Sequence, residues 1–448
     1  MICSKKALKR FFITTLGLML LTSPAAAQKK ESALDLNTLT TLDLASAKAI
    51  AIQGNPSLQA TRTRIEQAFS VVSQKKAAWM PSVDASVSLA RVDSSANSGT
   101  ADENERYASS LSASLTLFDG FNRTYSLASA KYAESSATEA EKEARRLLLF
   151  NVSQGYFTLQ SAMENLAIAE SDREYNTRLL TKAQAKYDAG AGTMSDVLNF
   201  KIAVNNAKTS LTTTRREIST ARVALAVLMG AEQARLPDGL SLAPLPEQGP
   251  WSKPLPLEET LKESALSRRP DLAQAELSIK QADAAIKVAQ SGYYPTVDLT
   301  GSLSGNRDGS ATFEQDDFGS SVGVNVSFNL FSGGQTRAKV AENRAALREA
   351  QYTRQSTTLA IKQEVADAMA TFTAAKEAVV LQKETVAFTS QSRGLVEQEY
   401  LAGTSTVVKL NEAQNNLVAA QGNLVTARVA LVTAWESIQK VTGLNLTE

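Results

Sequence analysis

The sequence contains no histidine, and its single cysteine is Cys3. Those two absences remove the usual ligands for zinc, copper or haem and the commonest general base. Carboxylates and lysines remain, but no motif organises them, so neither enzymatic activity nor a metal or other cofactor is expected. A lipoprotein needs a cysteine directly after its cleavage site, whereas Cys3 lies upstream of the apolar run from Phe11 to Leu21. No lipid anchor and no disulfide are therefore expected in the mature chain. Long hydrophobic runs are missing too: beyond the N-terminal region the longest uncharged apolar run, Val223 to Ala231, is nine residues. A membrane-spanning helix needs roughly 20. Nor is there a charge excess to attract nucleic acid, since the totals are 47 basic and 46 acidic residues.

Residues 1–27 read as a secretory signal: Lys5, Lys6, Lys9 and Arg10, then the apolar run, then Ala25-Ala26-Ala27 as a small-residue cleavage site. An uncleaved anchor is the competing reading, but the run is too short to span a bilayer. The mature chain would begin near Gln28 and carry a small negative charge. Proline is scarce and unevenly spread. Six of the eleven, Pro237, Pro244, Pro246, Pro250, Pro254 and Pro256, fall in one short stretch that can be neither helix nor central strand. It predicts a linker, 237–257, between a first half, 28–236, and a second half, 258–448.

The halves are duplicates. "NPSLQA" at 55–60 matches "RPDLAQA" at 269–275, and "WMPSVD" at 79–84 matches "YYPTVD" at 293–298. Phe118 and Phe331, Tyr187 and Tyr400, and Gly190 and Gly403 are each offset by 213. Each half opens with an expected helix, 43–78 or 258–291, ended by a proline. From Phe121 to Ala189, and from Gly334 to Ala402, no proline occurs. A continuous helix of that length would reach about 100 Å, which points to coiled coil rather than a globular core. Ala130, Ala133, Ala137, Ala140, Ala144 and Leu147 lay small residues along one seam at 3-4-3-4 spacing. High helix propensity alone would also favour alanine, but small residues at seam positions favour close helix contact.

Two strands are expected between the helices of each half: 83–91 and 108–118, then 296–305 and 318–331. Val83, Val87 and Leu89 alternate with Asp84, Ser86 and Ser88, and Val322, Val324 and Val326 alternate with Ser321, Gly323 and Asn325. Period two gives one apolar and one polar face. An ordinary sandwich with a wet face would do the same. However, only four such strands exist, and Trp79, Tyr107, Phe118, Tyr293, Tyr294, Phe318 and Phe331 cluster at their ends. Alternation with aromatic girdles is the pattern of a transmembrane β-barrel. Four strands cannot close one, and an open edge in hydrocarbon leaves backbone groups unpaired. The barrel must be shared between chains: eight strands in a dimer, twelve in a trimer, of which only the wider leaves a useful lumen.

"TLFDGFNR" and "NLFSGGQTR", the Asn-Pro and Arg-Pro openings, and the turns "YDAGAGTMSDVLN" and "YLAGTSTVVKLN" together resemble the TolC-type outer-membrane efflux proteins over essentially the whole mature chain. The resemblance implies an α+β membrane protein of duplicated strand-strand/long-helix halves. It further implies a homotrimer with a twelve-stranded outer-membrane barrel continued by an α-helical coiled-coil barrel through the periplasm. It implies an exit duct of a tripartite efflux or type I secretion system, with a periplasmic adaptor protein and an inner-membrane proton-driven or ABC transporter as partners. A periplasmic coiled-coil scaffold without a channel is the alternative. By position, the adaptor-docking tip would be Ala189, Gly190 and Ala191 with Ala402, Gly403 and Thr404, although either glycine could simply end a helix. The resemblance also implies a periplasmic gate latched by an Asp, a Tyr and an Arg. Asp196 and Tyr400 match the first two, whereas Ser405 stands where the Arg would be. Asp196 could equally serve only at a helix start. Lys409 and Glu412 occupy the place of paired acids at the entrance, where they could neutralise each other as an (i, i+3) pair.

Overall fold

The computed structural model describes residues 39–93 and 103–446. The signal segment, the mature N-terminus and most of the first hairpin loop lie outside them. The order is β1 (Thr41–Leu42), α1 (Leu44–Gly54), α2 (Pro56–Ala77), β2 (Ser82–Asp93), β3 (Glu103–Phe118), α3 (Asn122–Asp188), α4 (Met194–Leu228) and β4 (Ser241–Leu242). The second half follows with α5 (Glu258–Arg268), α6 (Pro270–Gln290), β5 (Thr296–Asp308), β6 (Phe318–Ser327), α7 (Gln335–Leu401) and α8 (Val407–Thr442).

The expected opening helices, 43–78 and 258–291, are each broken in two, at Asn55-Pro56 and at Arg269-Pro270. Asn55 and Arg269 are extended, at ψ 117° and 125°, because a following proline disfavours the helical region. Each proline then takes the first position of the next helix, where its missing N–H costs nothing. Asn55 caps α2 by accepting from the Ser57 and Leu58 backbone N–H groups. The break also creates a seat: Gly230 at φ +75° lies against Gly54 and Asn55, and its quasi-equivalent Gly443 at φ +73° lies against Arg268.

α3 and α7 are single helices of 67 residues each. α3 pairs with α4 and α7 with α8, while α6 bridges α3 and α7. α8 is the one helix among the described residues that is long and apolar enough to cross a bilayer. Its apolar positions are used differently: Leu410, Leu417, Val432 and Ile438 are buried in the helical bundle. At the chain's equator, Leu42, Ile50, Leu58, Val152, Tyr156, Leu225 and Met229 form one core. Leu261, Leu272, Ile361, Phe372 and Ile438 form another. The proline-rich linker supplies β4, which pairs in parallel with β1 through Thr41–Ser241 and Leu42–Leu242.

β2, β3, β5 and β6 make one antiparallel sheet in the order β2-β3-β5-β6, two hairpins joined through β3 and β5. β2, β3 and β5 run beyond the expected 83–91, 108–118 and 296–305 at their loop ends. The backbone ladder continues there although the side chains become charged. β6 is shorter than the expected 318–331 and stops at Ser327. Ser327 pairs with Thr296, and the residue before Thr296 is Pro295, which has no N–H to carry the ladder on.

Candidate functional site

The register sets the two faces of the sheet. Ser82 faces Ser114, Asp84 faces Ser112 and Ser86 faces Ser110; on the same face Ser302 lies between Ser112 and Ser321. Hydroxyl oxygens of Ser82 and Ser114, of Ser86 and Ser110, and of Ser302 and Ser321 stand 2.8 to 2.9 Å apart. Thr116 donates to Asp298 at 2.7 Å. The opposite face carries Val83, Val87, Leu89, Leu111, Val322, Val324 and Val326, all exposed, Val87 at 85%. Nothing among the described residues covers them. A concave surface continues the polar face onto the helices, lined by Ser114, Thr116 and Asp298, then Arg123, Ser126 and Lys339.

A bulge between Thr116 and Phe118 ends β3, and the chain turns into α3 through Gly120 and Phe121, both left-handed at φ +63° and +67°. Gly333 and Gly334 occupy the matching places before α7, at φ +60° and +83°. A Cβ at Gly120 would meet the Ser291 carbonyl at 2.7 Å, so this turn needs glycine. Phe121 is held in its strained conformation by edge-on contacts to Phe118 and Tyr294, at 5.5 and 6.4 Å.

At the far end each helical pair turns through the same motif. Gly190, at φ +72°, donates to the Tyr187 carbonyl and Ala191 to that of Lys186; Gly403, at φ +81°, donates to Tyr400 and Thr404 to Glu399. These are Schellman caps, so both glycines do end helices. The space where their Cβ atoms would stand is open. The next helices are capped alike: Thr193 accepts from the Asp196 N–H and Thr406 from the Lys409 N–H. Asp196 and Lys409 therefore occupy the same third position of α4 and α8 with opposite charge. The helix dipole favours the acid there and opposes the base.

Tyr400 packs edge-on to Phe200 at 5.9 Å, with the Lys186 ammonium 5.4 Å from its ring centre. Burial first, and the Asp196 charge second, push the Tyr400 hydroxyl above its usual range. No hydrogen bond joins Tyr400 to Asp196 among the described residues, and the Ser405 hydroxyl is buried without a partner. Lys409 and Glu412 are both exposed, and the expected ion pair between them does not form.

Another polar contact ties the two helical pairs, α3–α4 and α7–α8, together. The Tyr175 hydroxyl on α3 donates to Glu397 on α7 at 3.2 Å, and Arg393 donates to the same oxygen at 2.9 Å. Arg393 and Arg178 lie 4.9 and 5.4 Å from the Tyr175 ring centre. Asp172, also on α3, accepts from Gln414 of α8 at 2.8 Å and from Asn176 at 3.0 Å. Burial, ahead of the Glu397 charge, pushes the Tyr175 hydroxyl up to about 12.

The outer membrane efflux protein model matches residues 49–231 and 261–444, two spans that flank the proline-rich linker. The chain belongs to the outer membrane efflux protein family. It is 26% identical over 410 residues to outer membrane protein OprJ of Pseudomonas aeruginosa, covering 88% of this chain and 83% of that one. It is 25% identical over 378 residues to TolC of Escherichia coli, covering 81% and 74%. The fold matches the crystal structure of the Campylobacter jejuni CmeC outer membrane channel with a TM-score of 0.79 at 16% identity, over 94% of this chain and 90% of that one. As in the rest of its family, the chain's role is that of an outer-membrane efflux channel. This family consists of channel proteins rather than enzymes.

Sequence reading missed the contact between α3 and the α7–α8 pair. Its partners lie 222 and 242 residues apart, and no local pattern marks them. The opposition of Asp196 and Lys409 was legible in the 213-residue offset, once Thr193 and Thr406 are recognised as matching caps.

Proposed function

We propose that three copies of the chain close a twelve-stranded barrel in the outer membrane, with the long helices continuing it as a tunnel through the periplasm. The assembled trimer is the exit duct of a tripartite efflux or type I secretion system. It passes small molecules or unfolded protein delivered by a periplasmic adaptor and a proton-driven or ABC pump of the inner membrane. The mature protein, after loss of residues 1–27, reaches the outer membrane without a lipid anchor. The observation that carries this reading is the sheet, with its uncovered apolar face, hydroxyl-lined opposite face and two unpaired edges, β2 and β6. Turned outward in lipid, the apolar face needs no cover, and pairing β6 of one copy with β2 of the next removes both edges. The scaffold alternative lacks this support: a soluble sandwich needs a second layer over the apolar face, and the described residues provide none.

The turns at Ala189-Gly190-Ala191 and Ala402-Gly403-Thr404 present open space to an adaptor, and Asp196, Tyr400 and Ser405 surround the closing point. The mass of the cross-linked protein in detergent tests the assembly. A trimer is expected, and a stable monomer or dimer overturns the shared barrel. Planar bilayers test the duct, where purified trimer should conduct ions.

A further inference from the structure

We infer that β6 of one copy pairs with β2 of the next in one defined register, Ser327 opposite Ser86 of the partner subunit, and that this pairing turns residues 328–331 into the end of β6. It rests on the shared barrel proposed above and adds what fixes the fit between copies. In the single chain residues 328–331 belong to no strand, although Phe328, Leu330 and Phe331 are apolar and exposed, the last two at 87%. The Asn329 side chain folds back to accept the Phe331 N–H at 3.2 Å, a local turn of the kind an unpaired backbone makes.

The two hairpins share one register. Pro81 and Pro295 are offset by 214, and Phe118 and Phe331 by 213. Under those offsets Ser82–Ser114 falls on Thr296–Ser327, and Ser88–Ala108 falls on Ser302–Ser321. β3 also meets the obstacle that stops β6: its pairing with β2 ends at Ser114–Ser82, next to Pro81. Yet β3 runs on to Phe118, because β5 lies along its other side. β6 has no strand on that side. Since β5 is the counterpart of β2, the strand that β6 lacks is a β2. The β2 of its own chain stands at the far edge of a sheet of four, too few strands to close on themselves.

Carrying the β3–β5 contact over by the same offsets fixes the register between copies. Ser114–Thr300, Thr116–Asp298 and Phe118–Val297 become Ser327, Asn329 and Phe331 opposite Ser86, Asp84 and Val83 of the partner subunit. The bulge between Thr116 and Phe118 falls on Leu330. The two faces then run unbroken across the junction: Ser327 and Asn329 join the hydroxyl-lined face and Phe331 the apolar one. A slip of one residue would exchange them. Thr116 donates to Asp298 at 2.7 Å, and the Asn329 amide takes the same place toward Asp84 of the partner subunit. The local turn at Asn329 thus gives way to a strand once its neighbour arrives.

Paired cysteines test the register, since the one native cysteine, Cys3, lies in the segment read as a signal. Ser86→Cys with Ser327→Cys, oxidised in outer membranes, should give covalent trimers on denaturing gels. Ser88→Cys with Ser327→Cys is a diagonal pair and should give about a tenth as much, because a disulfide does not bridge so wide a gap. Ser114→Cys with Thr300→Cys, the quasi-equivalent pair within one chain, sets the attainable yield, read as loss of free thiol. The register is overturned if the diagonal pair links better, or if the internal pair closes while Ser86→Cys with Ser327→Cys stays open in trimers of confirmed mass. Hydrogen exchange reads the strand extension without any cysteine. Amides of 328–331 should exchange at least about tenfold more slowly in wild-type trimers than in the urea-unfolded chain, the effect of one ordinary hydrogen bond. Free exchange there in intact trimers overturns the extension and leaves the shared barrel standing. If mass measurement finds no trimer, the shared barrel fails and the register fails with it.

Discussion

Asp172 illustrates how single residues are set against their surroundings. Burial raises its carboxyl above the ordinary 3.8, outweighing the opposing hydrogen bonds from Gln414 and Asn176. The native state then holds this proton more readily than the unfolded chain does. Its contribution to stability is therefore greatest below pH 3.8 and is lost as pH rises through the elevated native value. Asp172→Asn retains the acceptor and adds an N–H that can reach the unpartnered Gln414 carbonyl oxygen. The variant should be more stable than the wild type at pH 7 by about 1 kcal/mol, with the difference closing near pH 3; melting curves at the two pH values decide it. Gly190 and Gly403 set a different constraint. Each sits at positive φ with nothing near its missing Cβ, so Gly190→Ala and Gly403→Ala should each cost about 1 kcal/mol in backbone strain. A bulky residue at either place should add loss of export with trimers intact, read by an efflux assay alongside outer-membrane trimer yield. These glycines were legible in the sequence because a Schellman cap is local. The Tyr175–Glu397 bond was not, since only the folded course of two helices brings its partners together.

Among the elements, the strands were the most legible and the helix breaks the least. Alternation located all four long strands, because a sheet with unlike faces imposes period two on its side chains. It could not locate their ends: charged residues such as Arg106 and Asp308 continue the ladder, while Pro295 cuts β6 short of the apolar residues that extend its pattern. The breaks at Asn55 and Arg269 were overlooked because the flanking segments are both strongly helical, yet a proline at an interior position dictates them. The two faces of the sheet make opposite predictions for one substitution. Val324→Lys places an ammonium on the apolar face and should cost about 2–4 kcal/mol of membrane stability, seen as loss of trimer from the outer-membrane fraction. Ser112→Lys, on the polar face, should leave trimer yield unchanged.

Scaled to the whole molecule, the duplication would give the proposed trimer a ring of six helical turns, in which Asp196 and Lys409, at matching positions of α4 and α8, would alternate. Rings of charge set ion preference in pores, and alternation of sign cancels most of it. The wild-type channel should therefore be weakly selective and poorly blocked by trivalent cations. Lys409→Asp, which makes all six positions acidic, should bring both cation preference and block, measured as reversal potential and current inhibition in bilayers. The unpaired edges of β2 and β6 have a further consequence, for biogenesis. A lone chain carries two unpaired strand edges and an apolar face that nothing among the described residues covers, so a monomer is an aggregation hazard and its stability cannot be separated from protomer concentration. Assembly becomes a race of encounter against precipitation, steep in the number of chains present. On refolding from urea with detergent, helical content should return at every dilution, while the yield of heat-resistant trimer should collapse below a threshold concentration.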